Sequence, residues 1–262
     1  MNDNTGYPDT VNPNIEPLIS IVTVCYNSRK TITATIDSLL CQTYTNFEYI
    51  IIDGVSTDGT VDIVRSYESA FREKAIPFKW TSEKDAGIYE AMNKGINQSN
   101  GKLVALLNSD DWYCSDTLEN IVKAYKANPE IGVFHGVVKF WKDNNCHTLY
   151  GASDLFIGKG IFPHHATCFI KKSVYNSIGL YDTRYPIASD YDMMLRIKKA
   201  GVGFLMIEKV LTNFSLQGIS SSRPLSLDMI AIQKKHGIIS KRKYYLLSPL
   251  YRILNFIYPF LK

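Results

Sequence analysis

Paired cysteines are missing from this chain. Its five cysteines, Cys25, Cys41, Cys114, Cys146 and Cys168, are odd in number and form no Cys-x-x-Cys pair. The pattern excludes a disulfide framework and a structural zinc site, and it fits a reducing compartment. Long hydrophobic runs are missing too, since none reaches the roughly 18 uncharged residues of a membrane span. The segment Met1 to Pro8 has neither a basic start nor an apolar core, so no signal peptide is expected. Internal repeats and low-complexity tracts are also lacking. Charge of one sign is scarce: 29 Lys and Arg against 25 Asp and Glu give a net +4, too little to argue for nucleic acid. That small excess sits at one end. Beyond Asp228 come seven Lys or Arg and no acid, which leaves 22 basic against 25 acidic residues in the rest.

What is present is globular. The chain has 262 residues, 45% hydrophobic and 21% charged, enough for one large domain or one domain with a C-terminal extension. It is organised around Leu103-Val-Ala-Leu-Leu-Asn-Ser-Asp-Asp-Trp-Tyr113. The apolar run predicts a buried parallel strand, and the carboxyl end of such a strand is where α/β sheets bind ligands. Adjacent carboxylates there are costly unless something positive joins them. Asp110 and Asp111 therefore predict a divalent metal, Mg²⁺ or Mn²⁺, shared with a substrate diphosphate. The alternative is a solvated turn before a helix starting near Ser115.

Residues 1–16 carry little to bury and read as a loose leader. Ile19 to Cys25 is a β-branched strand, broken by Tyr26-Asn-Ser28. Ile32, Ile36, Leu39 and Leu40 give Thr31 to Thr43 a helical period. Phe47 to Ile52 is the second strand, and Val61 to Glu73 the second helix. Two strand–loop–helix units predict a parallel sheet. Asp53, at the strand end, either reads a ribose or base or is a turn and cap residue. Asp58 reads either as a nucleotide contact or as a turn and cap residue. Phe78 to Trp80 is a third strand. Gly87, Ala91 and Gly95 put small side chains on one helix face, which suits close packing under a ligand. Asp85 either caps this helix or faces the nucleotide. Lys94 is either a phosphate contact or a solvated residue. A helix covers Ser115 to Asn128.

From about residue 130 the pattern changes to strand pairing: Ile131 to Trp141, a turn, and a return strand near His147 to Tyr150. His164 and His165 precede an apolar strand ending at Ile170. Either could line the site, His164 the more so, though structural histidines are common and a metal role would need further ligands. Lys172 to Ile178 is a short helix. Ala188-Ser189-Asp190-Tyr-Asp192 opens another. Asp190 lies at its start, where the helix dipole and free amides stabilise a carboxylate. It is either a cap or a general base for a substrate hydroxyl.

These segments together resemble family 2 glycosyltransferases of the GT-A fold. The likeness runs from about Leu18 to about Leu216. It rests on Ser20 to Asn27, Ile52 to Thr60, Asp85-Ala-Gly87 with Ala91 to Gly95, Asn108-Ser-Asp-Asp111 and Ser189-Asp190-Tyr-Asp192, in that order. The nearest subgroup is similar to bacterial enzymes of capsule, exopolysaccharide and O-antigen assembly. The resemblance implies an α/β fold with a mixed, mainly parallel sheet. It assigns residues 17–220 to the GT-A domain, with a nucleotide-binding half at 17–130 and an acceptor half at 131–220. Residues 221–262 form a basic, aromatic helical tail.

The resemblance also implies roles by position. Thr23 and Tyr26 fall at the nucleotide base, Asp53 at the nucleoside acid, and Asn108-Ser109-Asp110 in the Asp-x-Asp slot. Asp190 falls at the base of inverting enzymes. Two departures stand out: Asn108 replaces the first acid of the slot, and Gly54 stands where many relatives carry a second Asp. The expected reaction is inverting transfer from a nucleotide-sugar donor to a hydroxyl of a glycan or lipid-linked acceptor. The expected place is cytoplasmic, with the tail resting on the inner face of a membrane. A non-catalytic nucleotide- or glycan-binding subunit of an assembly complex is the rival. A nucleotidyltransferase ranks lower, because no Gly-rich, basic phosphate loop follows the first strand.

Overall fold

The computed structural model describes residues 18–142, 145–151, 162–216 and 227–257, with side chains to 252. The expected leader lies outside the described residues. At the centre is β1 (Ile19–Cys25), buried along its whole length. It pairs in parallel with β2 (Phe47–Asp53) on one side and β4 (Leu103–Leu106) on the other, and β3 (Phe78–Ser82) continues the parallel array beyond β2. The sheet order is β3-β2-β1-β4-β8-β6-β9-β5. Here β5 is Trp112–Tyr113, β6 Val133–Lys142, β8 Phe169–Lys171 and β9 Phe204–Ser215, while β7 (Asn145–Tyr150) pairs with β6 off this path. β8 runs antiparallel to β4 and β6, β5 antiparallel to β9, and β6 parallel to β9.

Period-two alternation along the buried strands divides the core between two faces. Ile19, Ile21, Tyr49, Ile51, Leu103 and Ala105 pack on one side, with Ile32, Ile36 and Leu39 of helix α1 (Ile32–Leu40). Val22, Val24, Ile50, Ile52, Val104 and Leu106 pack on the other. There they meet Met92 and Ile96 of α4 (Ile88–Gln98), together with Met193, Met194 and Ile197 of a later helix. The small face of α4 serves this packing and not a ligand: a β-carbon on Gly95 would overlap Val22 of β1.

The expected second helix divides into α2 (Thr60–Ser66) and α3 (Glu68–Glu73). At the join the Tyr67 N–H turns back to Val64 O, a tight 3₁₀-type bond, and its hydroxyl donates to Asp37 of α1. The other helices are α5 (Thr117–Ala127), α6 (Lys172–Ile178), α7 (Ser189–Lys199), α8 (Leu227–Lys235) and α9 (Lys241–Ile257). β5 and β9 were not expected from the sequence. β5 is only two residues long, and β9 carries three exposed or half-exposed charges and polar groups amid its apolar residues, which blurs its period. Among the described residues no helix is long and apolar enough to cross a membrane.

Candidate active site

The loops leaving β1, β2 and β4 are tied to one another. The N–H of Ser28 donates to Thr60 Oγ1, and the hydroxyls of Ser28 and Ser109 lie 2.7 Å apart. Asn27 Oδ1 accepts the Thr57 N–H and the Arg29 N–H reaches Asp58 Oδ2. Asp58 also accepts both donors of Thr60, so it is a turn and cap residue. The buried hydroxyl of Thr35, on α1, donates to Asp111 O at 2.7 Å and fixes the turn that follows β4.

Within that turn the two acids differ. Asp111 is fully buried; its Oδ1 accepts the Ser215 N–H at 3.1 Å, and its Oδ2 has no hydrogen-bond donor among the described residues. Burial, and then the neighbouring Asp110, push its carboxyl well above the usual range. Asp110 is half-buried, and burial raises its carboxyl too, against the opposing pull of its own backbone amide and of His165. The buried Asn108 Oδ1 also lacks a donor. Two orphaned oxygens beside Asp110 fit a hard, oxygen-seeking cation, since an unpaired buried polar atom is expensive. Among the described residues no three His, Cys, Asp or Glu side chains converge into an all-protein cage. A hard cation that keeps positions for water and phosphate does not need one.

Asp190 and the Asp110 turn meet across His165. The His165 ring lies on a 3₁₀ turn, His165–Thr167, that enters β8. Its Nε2 is 3.2 Å from Asn108 Nδ2, and its Nδ1 is 3.7 Å from Asp190 Oδ2. Burial lowers its proton affinity, while Asp190 and Asp110 pull the other way; the net direction is down, so the ring is neutral at neutral pH. The second oxygen of Asp190 is already occupied: Oδ1 accepts the Tyr89 hydroxyl at 3.2 Å and the Tyr191 N–H at 2.8 Å. Tyr89 also donates to Ile187 O and stacks on Tyr181, which fixes it beneath the first turn of α7. About a third of the Asp190 side chain stays exposed. It faces a cavity of about 400 Å³ walled by aromatic rings and methionines, Phe140, Phe162, Tyr191, Met194 and Met229 among them. A larger cavity, about 550 Å³, lies at the β3 edge with Glu68, Arg72 and Trp80 and holds none of these groups.

His164 lines the same cavity as His165. Its ring stacks on His165 at 4.7 Å and meets Phe140 and Phe214 edge to face. Burial, then His165, drive its proton affinity well down. It is a wall, and His165 is the ring that reaches Asp190 and Asn108. Nothing in the sequence signals this, because Asn108, His165 and Asp190 are separated by 57 and 25 positions; the β4–β8 pairing brings His165 to Asn108, and the start of α7 brings Asp190 to the ring. Tyr89 is hidden for the same reason.

Beyond the exits of β1 and β2, Tyr26 is exposed and Asp85 half-exposed, and both flank Gly54. A β-carbon there would lie 3.0 Å from Asp85 Oδ2 and 3.5 Å from the Tyr26 ring. Asp85 also caps α4 through the Gly87 N–H. Asp53 is almost fully buried, and its carboxylate is used inside the protein by the Ser56 amide and hydroxyl, the Ser82 hydroxyl and the Cys25 thiol. It shapes the loop on which Gly54 sits.

Two expected contacts are corrected. Thr23 is fully buried inside β1 and its hydroxyl accepts from Tyr49 at 3.0 Å, which leaves it no face toward a nucleotide base. Lys94 donates to Lys84 O and pairs with Glu83 at 3.1 Å, which commits it to the β3–α4 segment.

The tail also differs from the expectation of one basic extension. α8 docks on α7, where the fully buried Asp192 accepts from Lys235 Nζ at 2.9 Å and lies 2.8 Å from His236 Nε2. Asp228 Oδ2 takes the Ile187 N–H just before α7.

Comparison with known proteins identifies the family. The family described as Glycosyl transferase family 2 matches residues 20–179. A PGL/p-HBAD biosynthesis glycosyltransferase of Mycobacterium bovis is 30% identical over 184 residues, 69% of each chain. Residues 1–349 of S. aureus TarS, solved with UDP-GlcNAc, superpose with a TM-score of 0.69 at 18% identity, over 89% of this chain and 71% of that one. The mannosyltransferase PcManGT of Pyrobaculum calidifontis, solved with GDP-Man and Mn²⁺, gives 0.66 at 20% identity, over 87% and 66%. These two likenesses show the fold. The chain belongs to glycosyl transferase family 2 and is a glycosyltransferase built on the GT-A fold.

Proposed function

We propose that the chain moves a sugar from a nucleotide-sugar donor to a hydroxyl of a glycan or lipid-linked acceptor, with inversion, in surface polysaccharide synthesis. One observation carries the reading: Asp190, at the start of α7, and Asn108, in the turn at the exit of β4 that holds Asp110, meet the two nitrogens of one imidazole, at 3.7 Å and 3.2 Å. Tyr26 and Asp85 hold the nucleoside beside Gly54, and Asp53 keeps that loop in shape. Asp110, with the free oxygens of Asn108 and Asp111, would hold a divalent metal, Mn²⁺ or Mg²⁺. Such an ion supplies charge neutralisation for a departing diphosphate. Asp190 Oδ2, which has His165 Nδ1 as its neighbour at 3.7 Å, takes the proton of the acceptor hydroxyl as that hydroxyl oxygen attacks the anomeric carbon. The aromatic cavity beside it receives the acceptor. TarS and PcManGT, solved with nucleotide sugars, support the donor class, and the Mn²⁺ with PcManGT supports the metal.

The α9 surface adds a partner. Lys241, Arg242, Lys243, Tyr245, Leu246 and Leu250 are all exposed, a combination that suits an anionic membrane face and a lipid-carried acceptor. The α8 cations Lys235 and Lys234 are engaged elsewhere, the first with Asp192 and the second over the Tyr244 and Tyr245 rings.

The test is a panel of nucleotide sugars with Mn²⁺ or Mg²⁺, read as donor hydrolysis or transfer. Asp190→Asn should remove transfer and leave nucleotide binding intact, and Asp110→Ala should weaken metal-dependent donor binding. Near-normal transfer by Asp190→Asn sinks the base assignment, and unchanged donor binding by Asp110→Ala sinks the metal assignment. A protein that binds donors but turns over none of them would favour the non-catalytic binding subunit.

A further inference from the structure

We infer that His165 is a positioning residue that joins the donor turn to the base: it takes a hydrogen bond from Asn108 and presents Nδ1–H to Asp190, so that Oδ2 faces the acceptor. The inference rests on the proposed role of Asp190.

The argument starts from the carboxylate. Asp190 Oδ1 is held by Tyr89 and Tyr191, and Oδ2 has His165 Nδ1 as its neighbour at 3.7 Å. A neutral imidazole carries one proton on either nitrogen. Facing a carboxylate, a bare Nδ1 would set lone pair against lone pair, so the proton belongs on Nδ1. Nε2 is then an acceptor, and the group opposite it must be a donor. Asn108 supplies one, with its Nδ2 at 3.2 Å. The amide orientation and the imidazole tautomer thus require each other. At 3.7 Å the Nδ1–Asp190 contact is longer than a hydrogen bond, and such contacts in sites without substrate tighten when the substrate binds.

The ring itself has little freedom. The His164 ring stacks on one side, Phe214 meets it edge-on, and the short 3₁₀ turn fixes the backbone. An asparagine in the first position of the acidic slot then has a use of its own. An aspartate there would offer Nε2 an acceptor in place of a donor, which would favour the opposite tautomer and turn a lone pair toward Asp190. The departure Asn108 and the residue His165 are therefore one arrangement.

The test uses the full chain. Long-range ¹H–¹⁵N spectra separate the tautomers of its five histidines, with His165 assigned by the signal lost in His165→Gln. His165 should carry its proton on Nδ1, and Asn108→Asp should move it to Nε2. A wild-type ring protonated on Nε2 overturns the inference, whatever the enzyme's substrates prove to be. Turnover of UDP-GlcNAc or GDP-mannose with Mn²⁺ gives the second readout. His165→Phe keeps the packing but has no ring nitrogen, and should lose on the order of 10–100-fold in kcat with donor KM little changed. His165→Gln restores a donor and an acceptor and should recover at least about tenfold of that loss. Equal kcat for His165→Phe and the parent, or no advantage of Gln over Phe, overturns the inference. If Asp190→Asn is inactive while His165→Phe is not, only the positioning role falls. If Asp190→Asn stays active, the base assignment falls and takes this inference with it.

Discussion

Asp192 offers the sharpest quantitative test of how α8 is held. Its side chain is fully buried in the first turn of α7, and its oxygens serve Arg196 Nε at 2.8 Å, Lys235 Nζ at 2.9 Å and His236 Nε2 at 2.8 Å. Breaking a buried charge cluster by removing one partner costs about 3–5 kcal/mol, because the others are left uncompensated. Here the partners keep some company. Arg196 also donates to the carbonyls of Ile178, Gly179 and Leu180, and Lys235 reaches Asp182 at 3.3 Å. The low end applies, so Asp192→Ala should cost about 3 kcal/mol. At about 2–4 °C per kcal/mol for a domain of this size, Tm should fall by about 6–12 °C in a thermal melt. Hydrogen exchange should speed up selectively in α8, which opens first once its anchor is gone.

The pH dependence follows from the direction of the shift. Burial raises the Asp192 carboxyl, but the hydrogen bonds from His236, Lys235 and Arg196 outweigh it and hold the group below its ordinary 3.8. A carboxyl lower in the folded than in the unfolded chain stabilises above the unfolded value, and that stability is lost as pH falls through the folded one. The Tm gap between the parent and Asp192→Asn should therefore be widest near neutrality and close below about pH 4. A Tm change under about 2 °C for the alanine variant, or a gap that persists undiminished at about pH 3, refutes the reasoning.

Three further outcomes are expected. Gly95→Ala gains about 1 kcal/mol of helix propensity, but its methyl collides with Val22, an overpacking cost of about 1–3 kcal/mol, so denaturant melts should show net destabilisation that Val22→Ala relieves. Additive effects of the two substitutions would refute the contact. Val55 is a β-branched residue at φ 65°, a left-handed conformation costing about 1–2 kcal/mol, and Val55→Gly should raise stability by about 1 kcal/mol after the glycine's extra unfolded-state entropy. A lower Tm in that variant counts against strain at this site. Replacing Lys241, Arg242 and Lys243 together by Glu should weaken sedimentation with phosphatidylserine vesicles more than 100-fold, since each basic residue near such a surface is worth about 1 kcal/mol. Binding unchanged by the triple substitution removes the membrane reading of α9.

Much of the parallel half of the sheet was legible in the residues. Ile19 to Cys25 and Phe47 to Ile52 are β-branched runs with loops at their ends, and a run buried on both faces has few alternatives to a parallel strand. The Asn108 to Asp111 turn announced itself by two acids at the end of such a run, and Asp190 by its place at the start of a helix. These are local signals, carried by spacing along the chain. The second strand's acid shows the limit of such signals: Asp53 stands at a strand end, and only the fold reveals that Ser56 and Ser82 donate to its carboxylate.

By itself, the sequence determined that the chain is an α/β protein that opens with a parallel array of strands, and it put Asp110 and Asp190 forward as candidates. Only the tertiary structure decided which groups stand between them. Pairing β8 antiparallel to β4 carries His165 to Asn108 and Asp190, and pairing β5 to β9 delivers the Ser215 amide to Asp111. It also decided which acids are spent inside the fold, as Asp53 and Asp192 are. A hydrogen-bond partner dozens of residues away leaves no periodicity behind. Spacing along the chain records the shape of a strand or helix, while proximity across a sheet depends on a register that the whole core sets at once.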